Sequence, residues 1–221
     1  MSDELWTAVD QYFNTTAVGT DAALDAAAAA AVAAQLPPVS VTPAYGKLLH
    51  LIARAQRAKR ILEVCTLAGY STIWLARALP PDGRVITLES NPKHADVART
   101  NIERAGLRDC VEIRLGRALD TLPQLASEQG GPFDFTFIDA DRPHVTEYFD
   151  WAVKLARAGS LIVVDNVVRR GRVIDASTGD AEIVGVRRFV ERLASDSRVS
   201  ATIMQTVSSK GHDGFAVALV L

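Results

Sequence analysis

From residue 61 onward, short apolar runs alternate with helical stretches, and this rhythm leaves few folds open. Ile61 to Val64, Arg84 to Leu88, Val111 to Leu115, Phe133 to Ile138 and Leu161 to Val164 read as strands. Between and after them, Ser71 to Leu79, Pro92 to Ala105, Ala118 to Glu128, Val145 to Ala158 and Ala181 to Ala194 read as helices. Strands that alternate with helices imply parallel strands joined by crossovers. Leu161-Ile162-Val163-Val164 is apolar at every position. Such a strand must be buried on both faces, as parallel sheets require. Val199 to Thr206 and Phe215 to Leu221 have no helix between them, only a Ser208 to Gly214 loop. They should form an antiparallel hairpin at one end of the sheet. The expected fold is α/β: a doubly wound, seven-stranded, mostly parallel sheet of Rossmann-like form. Its ligand belongs outside the carboxyl ends of the strands.

The sheet is preceded by three helical stretches, Glu4 to Phe13, Asp21 to Gln35 and Pro43 to Ala58. The third carries apolar residues at Leu48, Leu49, Ile52 and Ala53, with Lys47, Arg54 and Arg57 for solvent. The expected organisation is one domain over 1–221. Residues 1–58 would cover the site and supply dimer contacts, and residues 59–221 would form the α/β core. With 221 residues, 48% of them apolar, one sizeable core is affordable. The Ala-rich run Ala22 to Ala34 is too short to span a bilayer and is broken by Asp25. Alanine is the best helix former, so this run reads as a packed helix.

Lys and Arg total 24 against 26 Asp and Glu, a formal charge of −2. Proteins that hold nucleic acid by its phosphates usually show a basic excess, so no nucleic-acid partner is expected. The acidic start lacks the basic and apolar regions of a secretory leader. Cys65 and Cys110 make neither a disulfide framework nor a zinc spacing. The expected location is the cytoplasm.

The segment Ile61 to Ser71 ends the first strand and opens a helix. Small residues there let a ligand approach the backbone closely. The dinucleotide fingerprint Gly-x-Gly-x-x-Gly is absent, which disfavours a nicotinamide-dependent oxidoreductase. Glu63, near the strand's end, suits a cationic ligand better than a pyrophosphate. Glu89 ends the second strand, where doubly wound folds commonly hold a ribose diol.

Ile61 to Leu79, read with Arg84 to Glu89, resembles the cofactor site of S-adenosylmethionine-dependent methyltransferases. More narrowly, the chain from about Val39 onward resembles the cation-dependent caffeoyl-CoA and catechol O-methyltransferases and their small bacterial relatives. The resemblance implies that Glu63, Gly69 and Ser71 surround the methionine part of S-adenosylmethionine. It places Glu89 on the ribose, Ala118 by the adenine, and the backbone of Val41 against the cofactor. It also implies a homodimer. Cys65 stands where the family usually has Gly. A side chain there would crowd the cofactor, though Cys is small enough to be tolerated.

Phe133 to Asp141 ends the fourth strand in acid, and Leu161 to Asn166 ends the fifth in Asp-Asn. If the two strands are neighbours, Asp139 and Asp165 meet at one sheet edge with Asn166 beside them. Three hard oxygen ligands suit Mg²⁺, with Mn²⁺ or Ca²⁺ as substitutes. The pattern resembles the family's metal site, so Asp139, Asp165 and Asn166 are the expected ligands. Asp139 would also touch the cofactor and act in catalysis. Asp141 would support the metal site or orient the cofactor's sulfonium side.

A phenol with a pKa near ~10 is a poor nucleophile at neutral pH. A divalent cation lowers that pKa, and two adjacent hydroxyls can chelate it. The expected acceptor is a small catechol-like phenol. Many relatives carry a lysine after Asp-Ala-Asp, often assigned as the base, whereas this chain has Arg142. Guanidinium does not give up its proton near neutrality, so Arg142 is expected to act as a fixed cation. Proton removal then falls to the metal and water or to a neighbour such as His144. Arg169, Arg170 and Arg172 follow Asn166 and suit an anionic group on the acceptor, or simply form a solvated loop. A degenerate cofactor-binding protein without turnover is the remaining alternative, suggested by Cys65 and Arg142.

Overall fold

A computed structural model describes residues 3–221. Its sheet has seven strands in the order β3-β2-β1-β4-β5-β7-β6. These are β1 (Arg60–Val64), β2 (Arg84–Glu89), β3 (Val111–Leu115), β4 (Phe133–Ile138), β5 (Ala156–Asp165), β6 (Val199–Ser208) and β7 (Gly211–Val220). The first five are parallel, and β7 runs antiparallel to both β5 and β6. The expected doubly wound, mostly parallel sheet is therefore present. Its order reverses between β1 and β4, and a crevice opens there at the carboxyl ends of those strands.

Side chains alternate across the pleat. Leu62, Val64, Ile86, Leu88, Ile162 and Val164 point to one face, where Leu122, Phe149, Val186 and Phe189 cover them. Ile61, Val85, Phe135, Phe137 and Val163 point to the other, under Leu49, Ile73, Trp74, Ala98 and Ile102. Both faces are covered, which is why the central strands are apolar throughout. The first face is covered by α6 (Ala118–Ser127), α7 (Val145–Lys154) and α8 (Ala181–Ser195). The second is covered by α3 (Pro43–Ala55), α4 (Tyr70–Ala76) and α5 (Pro92–Arg104), with α2 (Ala22–Ala33) packed outside them.

Local chemistry sets the helix starts. Asp21 caps α2 by accepting from Ala23 N and Leu24 N, both at 3.1 Å. The same carboxylate pairs with Arg77 just past α4, so one side chain both starts α2 and ties it to the core. Thr42 caps α3 through Tyr45 N, and Pro43 supplies the preset φ of a first helical residue. The first helix, α1 (Asp3–Phe13), runs on as a π-helical turn, Asn14–Val18.

Two boundaries differ from expectation. α7 ends at Lys154, and β5 begins at Ala156 rather than Leu161. Ala-Arg-Ala favours helix locally, but pairing overrides it. Phe133 N donates to Leu155 O at 2.8 Å, and Ser160 Oγ donates to Phe133 O at 2.7 Å. The final hairpin is also tighter than a Ser208 to Gly214 loop. Ser208 pairs with Gly211, so only Ser209 and Lys210 turn the chain. The polar stretch His212-Asp213-Gly214 looks like loop, yet each residue is paired in the ladder with β6.

Candidate active site

The carboxyl ends of β1, β2, β4 and β5 gather most of the residues singled out from the sequence. In β1, Glu63 is fully buried. Its Oε2 accepts from Thr72 Oγ1 at 2.5 Å and Thr87 Oγ1 at 2.7 Å, while Oε1 has no protein partner. Burial pushes this carboxyl up to about 7, against the pull of the surrounding hydroxyls. A buried acceptor without a donor is costly unless a ligand supplies one.

The turn after β1 is held in unusual backbone. Cys65 has φ 81, Leu67 φ 48 and Gly69 φ 80. Glycine meets that requirement freely and L side chains do not. Cys65 therefore sits where the family's Gly belongs for a backbone reason, apart from any crowding. Burial, followed by the Glu89 carboxylate, keeps its thiol protonated. Both cysteines are free.

Glu89 at the end of β2 is already engaged. It accepts from Leu67 N at 2.8 Å through one oxygen and from Asn91 N at 2.9 Å through the other. It braces the β1–α4 turn from below. Ala118 opens α6, just beyond β3.

β4 and β5 are neighbours in register, with Ile138 beside Val164. This brings Asp139, Asp165 and Asn166 together, as their positions at matching strand ends required. Arg142 lies in a single 3₁₀ turn, Arg142–His144, and is buried. Its Nη2 donates to Asp139 Oδ1 at 2.8 Å and also to Asn166 Oδ1. Its Nη1 is buried without a partner. The turn is pressed into place by α8. A Cβ on Gly185 would stand 2.2 Å from Arg142 O, so only glycine lets the helix come this close. Asn166 has φ 56, a left-handed conformation that Asn tolerates better than most side chains. Such strain is characteristic of functional sites.

Burial, and then the Asp139 carboxylate, push the Asp165 carboxyl up. Tyr45 from α3 faces this pair. Burial first, then Asp165 and Asp139, hold its phenol protonated. Among the described residues, no three His, Cys, Asp or Glu side chains converge as a ready metal cluster. The donor set here is two carboxylates and one amide. It nevertheless fits a hard divalent ion. Every donor is an oxygen, two of them already share one cationic nitrogen, and a buried carboxylate lacks a cation of its own.

Asp141 does not join this set. It accepts from Tyr148 Oη at 2.5 Å and bonds the His144 ring. His144 thus meets Asp141 instead of the Asp139–Asp165 pair, which leaves it poorly placed to serve as a base there.

Two cavities meet at this edge. The smaller, about 340 Å³, is lined by Val41, Cys65, Ser71, Asp139, Asp141 and Arg142 among others. The larger, about 630 Å³, is lined by Tyr45, Leu48, Asp165, Lys210 and Phe215 among others. Val39, Val41, Asn166 and Arg169 belong to both. Glu63, Gly69, Glu89 and Ala118 are not among the wall residues of either.

The O-methyltransferase family model matches residues 14–217. The chain belongs to the O-methyltransferase family. A catechol O-methyltransferase from Niastella koreensis is 51% identical over 220 residues, covering 100% of both chains. The structure of an O-methyltransferase from Bacillus cereus in complex with SAH is 53% identical, with a TM-score of 0.98 over 100% of both chains. That of an O-methyltransferase from Streptomyces achromogenes, involved in tomaymycin synthesis and in complex with SAM, is 51% identical. Its TM-score is 0.96, over 100% of this chain and 99% of that one.

In this O-methyltransferase, sequence reasoning missed Tyr45, Lys210 and Phe215. Tyr45 and Phe215 pack together, ring centroids 5.3 Å apart, on one wall of the larger cavity. Lys210 Nζ donates to the Ser40 carbonyl and so ties the hairpin tip to the segment before α3. Tyr45 was visible only as another apolar residue of a helix. Lys210 and Phe215 lie 44 and more residues from Asn166, and nothing local marks them. Of the loop arginines, Arg169 pairs with Glu182 and Arg172 with Asp180.

Proposed function

We propose that this O-methyltransferase moves a methyl group from S-adenosylmethionine to one hydroxyl of a small catechol-like acceptor, with help from a divalent cation. The observation that carries the reading is the shared edge of the two cavities. The cavity beside β1 has Asp139 and Arg142 in its wall, the cavity beside Tyr45 has Asp165, and Asn166 belongs to both. Two ligands lying in them would meet at these residues.

S-adenosylmethionine supplies a methyl on a sulfonium. Glu63 lines neither cavity, so its buried, unpartnered Oε1 would accept the cofactor's cationic amino group only where that group reaches past Cys65 and Ser71 in the cavity wall. Ser71, Cys65, Gly69 and the Val41 backbone would flank its methionine part. Glu89 would take the ribose hydroxyls with the lone pairs its backbone bonds leave free, and Ala118 would lie by the adenine. Asp139 and Asp141 complete that side.

Mg²⁺, or Mn²⁺ or Ca²⁺ in its place, would lower the pKa of the acceptor's hydroxyl. Asp139, Asp165 and Asn166 would hold it. Arg142 provides, near the same edge, a positive charge that does not titrate, and it cannot take a proton from the acceptor. Tyr45, Leu48 and Phe215 give the acceptor ring an apolar wall. Displacement then gains from positioning and electrostatics rather than from a strong base.

Two further points belong to this reading. No described helix is long and apolar enough to cross a membrane. α1 leaves Leu5, Val9, Tyr12 and Phe13 exposed, which suits a homodimer. Incubation with S-adenosylmethionine and catechol should yield monomethylated catechol, and Asp165→Ala should stop this while cofactor binding, followed by titration calorimetry, persists. Binding of NAD in place of S-adenosylmethionine would overturn the reading.

A further inference from the structure

Three features fit a cation between β4 and β5, yet that place already has an occupant. Arg142 Nη2 bonds both Asp139 Oδ1 and Asn166 Oδ1, two of the three oxygens assigned to the metal. The contact is not a loose surface pair. The side chains of Arg142 and Asp139 are 9% and 19% exposed, so little solvent screens it. One nitrogen cannot be held by both oxygens while a divalent ion is held by the same two.

We propose that Arg142 is a tethered competitor for the divalent cation: its guanidinium fills the cation position when no ion is bound and must withdraw from Asp139 and Asn166 when one binds. The inference rests on the assignment of the metal ligands above. It gives Arg142 the role of a positioning residue that sets metal affinity.

The surroundings support both halves of the exchange. The turn's backbone is fixed, because Arg142 O is pressed against Gly185 of α8. Only the side chain is free to leave. Its other nitrogen, Nη1, has no partner in this position, so the guanidinium gains hydrogen bonds from only half of its head. Arg142 also borders the smaller cavity, which in the cofactor-free protein gives the head somewhere to go. In the arrangement seen, Arg142 keeps the two strand ends together. Without it, the ion-free protein would hold Asp139, Asp165 and Asn166 side by side with no cation among them. A permanently assembled, empty acidic site is costly, and a built-in cation offsets that cost.

The consequence is that metal binding is weaker than the three oxygens alone would give. A tethered competitor lowers the apparent affinity by the fraction of molecules in which its place is free, so a guanidinium withdrawn in about a tenth of them weakens metal binding about tenfold. Removing it should therefore tighten metal binding, which is the opposite of what a merely structural residue does when deleted.

The test is Mn²⁺ binding to the cofactor-free protein, read from the free-ion electron paramagnetic resonance signal. Arg142→Met keeps the length of the chain and removes the charge. Its Mn²⁺ dissociation constant should fall about tenfold below that of the native protein, as for a guanidinium withdrawn in about a tenth of the native molecules. Arg142→Lys, which keeps a charge but lacks the forked head, should lie between the two and guards against a Met form that fails to fold. Equal or weaker Mn²⁺ binding by folded Arg142→Met overturns the competition while leaving the metal site intact. Equal or weaker binding by Arg142→Lys than by the native protein also counts against it. Absence of Mn²⁺ binding in all three forms overturns the metal assignment itself, and the inference with it.

Discussion

Arg142 joins Asp139 at 2.8 Å across the carboxyl end of the sheet, and the same nitrogen reaches Asn166 on the next strand. One positive charge therefore stands where β4 and β5 deliver their polar ends. It is a charge that does not titrate, and this decides what the residue can do. Arg142→Ala should slow catechol methylation on the order of 10²-fold at saturating Mg²⁺ without abolishing it. Arg142→Lys should stay within a few-fold of the native rate from neutral to alkaline pH. An inactive native protein rescued by Lys would show that a base is needed at this position.

If Glu63 holds the cofactor's ammonium, cofactor binding should depend on pH. The folded Glu63 carboxyl titrates at about 7, against a reference of 4.5. As pH rises between those values, the unfolded chain gives up its proton first, so Glu63 subtracts stability across that window. Cofactor affinity should move the other way, rising through about pH 7 as the buried carboxylate becomes available to the cofactor's ammonium. Glu63→Gln should remove this dependence and weaken binding by about 10- to 100-fold, the worth of one charged hydrogen bond. Calorimetric titrations below and above neutrality measure both effects. A pH-independent affinity in the native protein would exclude the assigned role.

Cys65→Gly should stabilise the protein and favour the cofactor. A left-handed residue with a side chain costs roughly 1–2 kcal/mol, while glycine gives back about 0.5–1 kcal/mol through the unfolded chain. The net gain is under about 1.5 kcal/mol, or a few degrees in melting temperature for a chain of this size. Thermal melts with and without S-adenosylmethionine compare the two forms. A lower melting point for Cys65→Gly would mean that the thiol makes a contact worth more than the strain.

Asp134 secures the far end of the same strands. Its Oδ2 accepts from Lys59 N at 2.7 Å and Arg60 N at 2.9 Å, and its Oδ1 from Arg157 at 2.6 Å. Although burial opposes it, these donors hold the carboxyl below the usual carboxylate range. Its contribution is present above about pH 4 and is lost as pH falls further. Asp134→Ala should cost about 2–3 kcal/mol, measured by urea unfolding at neutral pH, and much less in acid.

The sheet was readable because its strands must be buried on both faces. Leu161 to Val164 could not be anything else. The meeting of Asp139 and Asp165 was readable because matching strand ends in a parallel sheet share an edge, so the two were bound to come together once β4 and β5 paired. What escaped was set by distant pairing. Ala156 to Ser160 joins β5 because Phe133 lies opposite, against its own helical preference. The bond of Arg142 to Asn166 depends on a turn pressed down by Gly185, 43 residues later. Lys210 enters the larger cavity only because the hairpin closes tighter than its polar composition suggests, with β6 running on to Ser208 and β7 starting at Gly211 instead of Phe215.

Chelation followed by readdition tests metal-assisted methyl transfer to catechol most directly. The measurement is the initial rate of methyl transfer from S-adenosylmethionine to catechol, first in excess chelator and then during back-titration with Mg²⁺. The rate should fall to background in chelator and return with Mg²⁺, while Asp165→Ala stays at background throughout. A native enzyme that keeps its full rate in excess chelator contradicts the account.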